Sequence, residues 1–144
     1  MKKLVLSIFL LLCTSSFAQQ TTIIKNSHLQ QHVASITKQE AFWIFTLRTR
    51  FWPDGTRIVV YHMDLNSVAH IVFCRDVLGT SAYQYKTSLE TYKTSANSMY
   101  LRQVSSEQEM FEKVSRTIGA IGYVSENIVL VNDDNNIRRV NIVK

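Results

Sequence analysis

The sequence predicts an α/β fold in which a central mixed sheet is flanked by helices. Short segments rich in β-branched residues alternate along the chain with segments whose apolar residues recur at helical spacing. Glycine and proline are sparse, four and one in 144 residues, so no flexible linker divides the chain. Strands that alternate with helices favour at least some parallel pairing within the sheet.

The N-terminus has the pattern of a secretory signal. Two lysines follow Met1, an almost wholly apolar run spans residues 4–13, and small side chains stand three residues and one residue before Gln19. This order of charged, apolar and small residues predicts cleavage after Ala18. The apolar run of about ten residues is too short to cross roughly 30 Å of hydrocarbon, which argues against a membrane anchor.

The leader is therefore predicted to span residues 1–18 and the mature protein residues 19–144. We expect that protein in the periplasm or secreted, with no membrane span after cleavage. Its length suits one domain with its own core. The formal net charge of +5 includes the two leader lysines, and the other basic residues are scattered. A nucleic-acid-binding protein usually has a dense basic stripe, so nucleic acid is not an expected partner.

Cysteine usage excludes an internal disulfide. Of the two cysteines, only Cys74 remains after cleavage, and it follows the apolar run Ile71-Val72-Phe73. A buried structural thiol is the favoured interpretation, and an intermolecular partner is the alternative. A catalytic cysteine needs a base within hydrogen-bond reach, which the sequence does not place there. Lipidation of Cys13 is disfavoured because Leu12 is bulky.

The first half of the mature chain predicts two strands, a helix and a turn. Thr37 and Glu40 have the spacing of a capping box, which starts a helix that runs to about Leu47. Trp52-Pro53-Asp54-Gly55 has the composition of a tight turn. The strands are predicted at residues 21–25 and 57–62, and the unbroken apolar middle of the second indicates burial on both faces.

The second half continues the alternation. Residues 64–67 offer several caps for a helix that ends at Gly79, and Ser105-Ser106 begins another helix with one apolar face. Gly119 introduces a tight turn into a buried strand. The remaining predicted elements are a polar helix over residues 83–92 and two closing strands over residues 127–131 and 138–143.

Several of these segments together resemble the phosphate-binding proteins of ABC transporters. Residues 44–55, which end in Trp-Pro-Asp-Gly, are similar to a stretch of that family. Ser67, followed by Phe73 and Leu78-Gly79, resembles the helix that begins at its phosphate-contacting Ser-Gly-Thr. The run Gly119-Ala-Ile-Gly-Tyr-Val resembles the family's ending. The order and spacing match over nearly the whole mature chain.

The resemblance implies the fold of a single lobe of a type 2 periplasmic-binding-protein-like fold, and a small anion, phosphate, as ligand. Ser67 and the backbone amides after it would contact the anion, since amides at a helix start bind anions whatever their side chains. The flanking histidines would add charge when protonated. The candidate anion-binding residues are Ser67, Val68, Ala69, His70, His62, Asn26 and Ser27.

The chain departs from the family's motif in ways that predict weak binding. Met63 stands where the family has arginine, and Val68 and Ala69 stand where it has glycine and threonine. Charge-assisted hydrogen bonds are the strong ones, so we expect contact in the millimolar range. The alternative interpretation of Ser67 is a helix N-cap and nothing more.

An alternative function that the sequence allows is that of an envelope interaction or assembly module with a protein partner or a homodimer mate. It depends on an exposed face where full-length relatives have a second lobe. The aromatic residues available to such a face are Trp43, Phe51, Trp52, Tyr83, Tyr85, Tyr92 and Tyr100.

An enzyme is not indicated by the sequence, which contains neither a pair of catalytic carboxylates nor an arrangement of serine, histidine and aspartate typical of a catalytic triad. His28 and His32 lack the further ligands of a zinc site, so we expect no metal and no cofactor.

Overall fold

The computed structural model describes residues 20–28, 33–132 and 134–144. The predicted leader lies outside these residues, as does His32. The described elements follow in chain order: β1 (Thr21–Asn26), β2 (Ser35–Thr37), α1 (Lys38–Phe45), β3 (Val59–His62), α2 (Val68–Val72) continued by a π-helical segment (Phe73–Leu78), α3 (Ala82–Tyr92), a 3₁₀ turn (Ser98–Tyr100), β4 (Leu101–Gln103), α4 (Glu107–Arg116), β5 (Ala120–Ser125), α5 (Glu126–Asn132) and β6 (Ile137–Val143).

The strands form one six-stranded sheet in the order β2-β6-β1-β5-β3-β4. β1 is antiparallel to both of its neighbours, β5 and β6, and the other pairs are parallel. The sheet is therefore mixed, with β1 running against the direction of the other described strands. This confirms the predicted fold class.

β5 lies in the middle of the sheet and is buried on both faces, as all six of its residues are buried. Successive side chains of a strand point to opposite faces. At Gly122 the backbone lies against α4, where an added Cβ would come within 2.5 Å of Met110 Sδ. The Tyr123 ring points the other way, towards α1 and α2, and stacks on Phe73 with ring centroids 3.8 Å apart. The helices thus form layers on both faces of the sheet.

The helix ends follow the predicted caps. Thr37 Oγ1 accepts from the Glu40 amide and Glu40 reaches back to the Thr37 amide, which forms the predicted capping box. Ser67 caps α2, and Gly79 ends the π-helical continuation with φ of 67°. Left-handed backbone at a helix C-terminus is the conformation that glycine adopts without a steric penalty. α1 ends at Phe45, two residues before its predicted end.

One predicted strand is wrong. Residues 127–131 belong to helix α5, although their β-branched composition is typical of a strand. The helix turns Ile128 and Val129 towards the core and leaves Leu130 and Val131 exposed. A β-branched composition shows only that the side chains would fit a half-buried sheet, and the surrounding tertiary structure can override this preference. β2 and β4, three residues each, were not predicted from the sequence.

Candidate functional site

The candidate site lies at the edge of the sheet where β3 and β5 end and β1 begins, called here the carboxyl edge. Thr21 at the start of β1 pairs with Ser125 at the end of β5. Open α/β sheets bind ligands outside the carboxyl ends of their strands, in the crevices between the following loops and helices. The carboxyl edge is therefore where a sheet of this kind is expected to bind a ligand.

A groove of about 400 Å³ opens at this edge. We call it the carboxyl-edge groove; its lining residues are Thr21, Val68, Ala69, Val72, Arg75, Asp76, Glu107, Tyr123 and Ser125. A larger cavity of about 810 Å³ lies along β1, β6 and the start of α1. None of the residues predicted for the anion site lines the larger cavity, whereas Val68 and Ala69 line the groove.

Ser67 acts as the N-cap of α2. Its Oγ accepts from the His70 amide at 3.2 Å and donates to the Asp64 carbonyl oxygen at 2.7 Å. Its carbonyl oxygen accepts from the Ile71 amide at 3.0 Å. The hydroxyl proton is therefore engaged within the chain, and Ser67 holds the helix start in place rather than offering that proton to a ligand.

The amides of Val68 and Ala69 are the donors that this helix start offers. First-turn amides of a helix have no intrahelical acceptor because no turn precedes them. Val68 is 77% exposed, so this helix start lies at the surface of the protein. These two groups remain candidates for contact with an anion.

His70 and His62 do not supply the positive charge that the sequence interpretation gave them. His70 is fully buried, and burial lowers its pKa to about 4. His62 is buried as well, with Nδ1 2.7 Å from the Met63 carbonyl oxygen, and burial lowers its pKa too. Both rings are consequently neutral near pH 7, because a low-dielectric surrounding disfavours the charged form.

Asn26 and Ser27 lie at the opposite edge of the sheet. Thr21 begins β1 at the carboxyl edge, and β1 ends at Asn26, five residues further along the strand, which is a distance of about 16 Å. The Asn26 side-chain amide donates to the carbonyl oxygens of Val114 and Ser115 at the end of α4. Asn26 therefore stabilises the packing of α4 on the sheet. The structure does not bring these two residues to Ser67.

Sequence reasoning missed the pair formed by Glu107 and Ser125 in the groove. The Ser125 amide donates to Glu107 Oε1 at 2.7 Å, and the Ser125 hydroxyl donates to Oε2 at 2.8 Å. Glu107 is the first residue of α4, and Ser125 is the last residue of β5. The signal that would have found them is position, since both predicted elements end or begin at the carboxyl edge.

The charged groups around the groove do not favour anions. Asp76 pairs with Arg75, whose guanidinium nitrogens lie 2.5 and 2.9 Å from its carboxylate oxygens. The Asp64 carboxylate accepts from the Asn66 amide in the loop before α2. Glu107 adds a third carboxylate. The donors of this edge thus lie among acidic groups, one of which is compensated by an arginine.

A buried cysteine–histidine pair lies beneath the groove. Cys74 Sγ is 3.3 Å from His70 Nε2, and His70 Nδ1 is 2.8 Å from the Tyr123 hydroxyl oxygen. The prediction that Cys74 is buried is confirmed. Burial raises the pKa of the thiol to about 12, so the thiolate that nucleophilic chemistry needs does not form near neutral pH. The pair is a core contact.

The aromatic residues divide between core and surface. Trp52 and Tyr85 are buried, whereas Phe51 and Tyr83 are exposed. The Trp52 indole nitrogen donates to the Gly119 carbonyl oxygen at 2.9 Å.

Within the described ranges, no group of three or more histidine, cysteine or acidic side chains is placed to hold a metal ion. Among the helices in those ranges, none is both long enough and apolar enough to cross a membrane.

Comparison with known proteins supplies the fold relationship. No family model matches the sequence, and no curated protein matches it significantly. Solved structures do match. An ABC-type phosphate transport receptor from Vibrio cholerae is 16% identical with a TM-score of 0.58, over 83% of this chain and 44% of the receptor. PstS from Borrelia burgdorferi is 16% identical with a TM-score of 0.63, over 85% and 46%.

A putative phosphate ABC transporter substrate-binding protein from Clostridium perfringens, solved with bound phosphate, is 17% identical with a TM-score of 0.61. The match covers 85% of this chain and 44% of that protein. The chain thus spans less than half the length of the solved structures that it matches. At these identities the likeness shows the fold, which is that of one lobe of the periplasmic phosphate-binding proteins, as the resemblance in sequence implied.

Proposed function

We propose that this chain, which shares its fold with one lobe of the phosphate-binding proteins, is an exported binding protein that contacts a small oxyanion weakly. The binding place is the carboxyl-edge groove, and inorganic phosphate is the model ligand. The single observation that carries the proposal is the position of the Val68 and Ala69 amides. They begin the helix after β3, in a groove at the edge where sheets of this kind bind ligands.

Weak binding follows from the donors that the groove offers. Backbone amides supply hydrogen bonds but no positive charge, so the anion forms no ion pair with them of the kind that a bidentate arginine provides. Met63 occupies the position where the resembling motif has arginine, and it is buried. We expect a dissociation constant near the millimolar range, which corresponds to about −4 kcal/mol. Such an affinity suits an accessory role in uptake or sensing.

A binding role is favoured over catalysis and over the assembly module. The neighbours in fold are named as a transport receptor and a substrate-binding protein. The thiol and imidazole of Cys74 and His70, which could in principle act as nucleophile and base, are buried and held in their uncharged forms. We therefore propose no enzymatic activity, and from the predicted leader we propose a location in the periplasm or outside the cell.

The test is a titration of the mature chain, residues 19–144, with inorganic phosphate, followed by amide chemical shifts in ¹⁵N-labelled protein. We expect the Val68 and Ala69 amides to shift and to saturate in the millimolar range. Sodium chloride at equal ionic strength is the control for general salt effects. Absence of saturable shifts at these amides would refute the proposal.

Val68→Pro sharpens the test. Proline at the first position of a helix is tolerated and removes one backbone donor, and Ser67 already has the extended backbone, with ψ of 148°, that a following proline requires. Ala82→Pro is the matched control, because Ala82 is the first residue of α3 after the extended N-cap Ser81 and does not line the groove. Phosphate affinity should fall severalfold in the first variant and stay unchanged in the second.

A further inference from the structure

The carboxylate of Glu107 makes the contacts that a bound oxyanion would make. One of its oxygens accepts from the Ser125 amide and the other from the Ser125 hydroxyl, at 2.7 and 2.8 Å. A backbone N–H beside a hydroxyl is a donor pair that fits two oxygens of a phosphate or carboxylate equally well. Ser125 lines the groove together with Val68 and Ala69.

Covalent attachment gives the Glu107 carboxylate a large advantage over a free anion. A tethered group competes at an effective concentration in the millimolar range or higher, set by how well its tether positions it. Glu107 is fixed in the first turn of α4, where a negative charge is favourable next to the unpaired amides. A free anion must displace this carboxylate before it reaches the Ser125 donors, and it is repelled by the same charge.

We infer that Glu107 is an internal competitor that occupies the Ser125 donors of the groove and thereby sets its low affinity for oxyanions. The inference rests on the proposed function, since it takes the groove as the place where oxyanions bind. It identifies Glu107 as a residue that determines specificity. An oxyanion in the groove can bind the Ser125 donors only when the Glu107 carboxylate has moved away or has been removed by substitution.

The chain contains a control with the same charge and the same kinds of donor. One oxygen of the Glu109 carboxylate accepts both from the Ser105 amide at 2.8 Å and from the Ser105 hydroxyl at 2.7 Å. Glu109 also lies in the first turn of α4, but neither it nor Ser105 lines the groove. Removal of Glu109 therefore deletes the same charge and the same pair of hydrogen bonds without freeing donors at the groove.

The experiment measures the dissociation constant of inorganic phosphate for the mature chain and three variants, at constant ionic strength. Glu107→Ala should bind at least about tenfold more tightly than the wild type, the factor that 1.4 kcal/mol represents, and the Ser125 amide should shift on titration. Glu109→Ala should bind as the wild type does. Glu107→Ala with Ser125→Ala should lose most of the gain.

The outcomes separate this inference from the proposed function. If the wild type binds phosphate and Glu107→Ala binds no more tightly, the inference is overturned while the proposed function stands. If the wild type does not bind and Glu107→Ala does, the inference holds and the native anion function fails. Binding by neither overturns the inference. If Glu107→Ala does not fold, Glu107→Gln, which removes the charge at nearly constant shape, decides the question by the same criterion.

Discussion

The Tyr123 hydroxyl is a buried junction whose removal should be costly. Its oxygen accepts from the Met63 amide at 2.9 Å and lies 2.8 Å from His70 Nδ1. The hydroxyl can serve both groups, because it has one proton to donate and two lone pairs that accept. Tyr123→Phe removes this one oxygen and keeps the ring that stacks on Phe73.

The expected loss of stability follows from the two groups that would be left without a partner. Tyr123 and His70 are 1% and 0% exposed, so water does not replace the missing oxygen without a rearrangement. A buried polar group left unsatisfied costs about 1–3 kcal/mol. With two such groups, Tyr123→Phe should lower the free energy of unfolding by about 3 kcal/mol.

Tyr85→Phe is the matched control. Tyr85 is also fully buried, but its hydroxyl makes one hydrogen bond, to the Phe45 carbonyl oxygen at 2.8 Å. Its removal should cost about 1 kcal/mol. Both variants retain a buried phenyl ring, so the comparison isolates the number of polar groups that lose a partner.

The assay is equilibrium unfolding of the mature chain in urea near pH 7.5, followed by far-ultraviolet circular dichroism. A change in the midpoint at constant slope reports a change in stability. The reasoning fails if Tyr123→Phe is destabilised no more than Tyr85→Phe, since the proposed junction would then carry no more than a single hydrogen bond.

Two further predictions concern pH and backbone conformation. The pKa of His70 is lowered to about 4 in the folded protein and is near 6.5 in the unfolded protein. Between these pH values the unfolded state binds a proton that the folded state does not, so the free energy of unfolding should fall as pH falls from about 6.5 to 4. For this group the slope is at most about 1.4 kcal/mol per pH unit. Urea unfolding at several pH values measures this slope, which should shrink in His70→Gln. Gly119 has φ of 78°, and an added Cβ would lie 2.2 Å from the Arg57 carbonyl oxygen, whereas Gly55 has φ of 85° and nothing within 4 Å. Gly119→Ala should therefore lose several kcal/mol and Gly55→Ala about 1 kcal/mol, the cost of the left-handed backbone alone; equal losses in thermal unfolding would contradict the steric argument.

Local chemistry in the sequence predicted the elements that are defined by their own residues. The capping box at Thr37 and Glu40, the N-cap Ser67 and the left-handed Gly79 depend on atoms a few residues apart, and the structure confirms each of them. The buried strand after Gly119 is also confirmed, because its continuous apolar composition requires burial on both faces.

The elements that depend on distant partners were harder to predict. β2 and β4 are three residues long and are strands because β6 and β3 lie beside them. The apolar run in α5 suits a strand by composition and forms a helix beside α4 and β5. Short segments take their conformation from tertiary neighbours, which a pattern of residue types does not identify.

The candidate site was predicted in part. The sequence indicated the helix that starts at Ser67, but it grouped that helix with Asn26 and Ser27, which the antiparallel direction of β1 places at the other edge. Burial, which governs the charge of His70 and His62, depends on the assembled core. Glu107 and Ser125 are 18 residues apart in sequence, so no local motif marks them.

The position of β1 has a consequence for how the chain folds. β1 comes from the first residues of the described domain, yet its two neighbours in the sheet, β5 and β6, come from the last 25 residues, 120–144. The middle of the sheet therefore cannot form until β5 and β6 have been synthesised, and pairing between strands so distant in sequence slows folding. A ribosome-bound or truncated chain that lacks these strands would expose the apolar faces of β1 and favour aggregation or capture by chaperones.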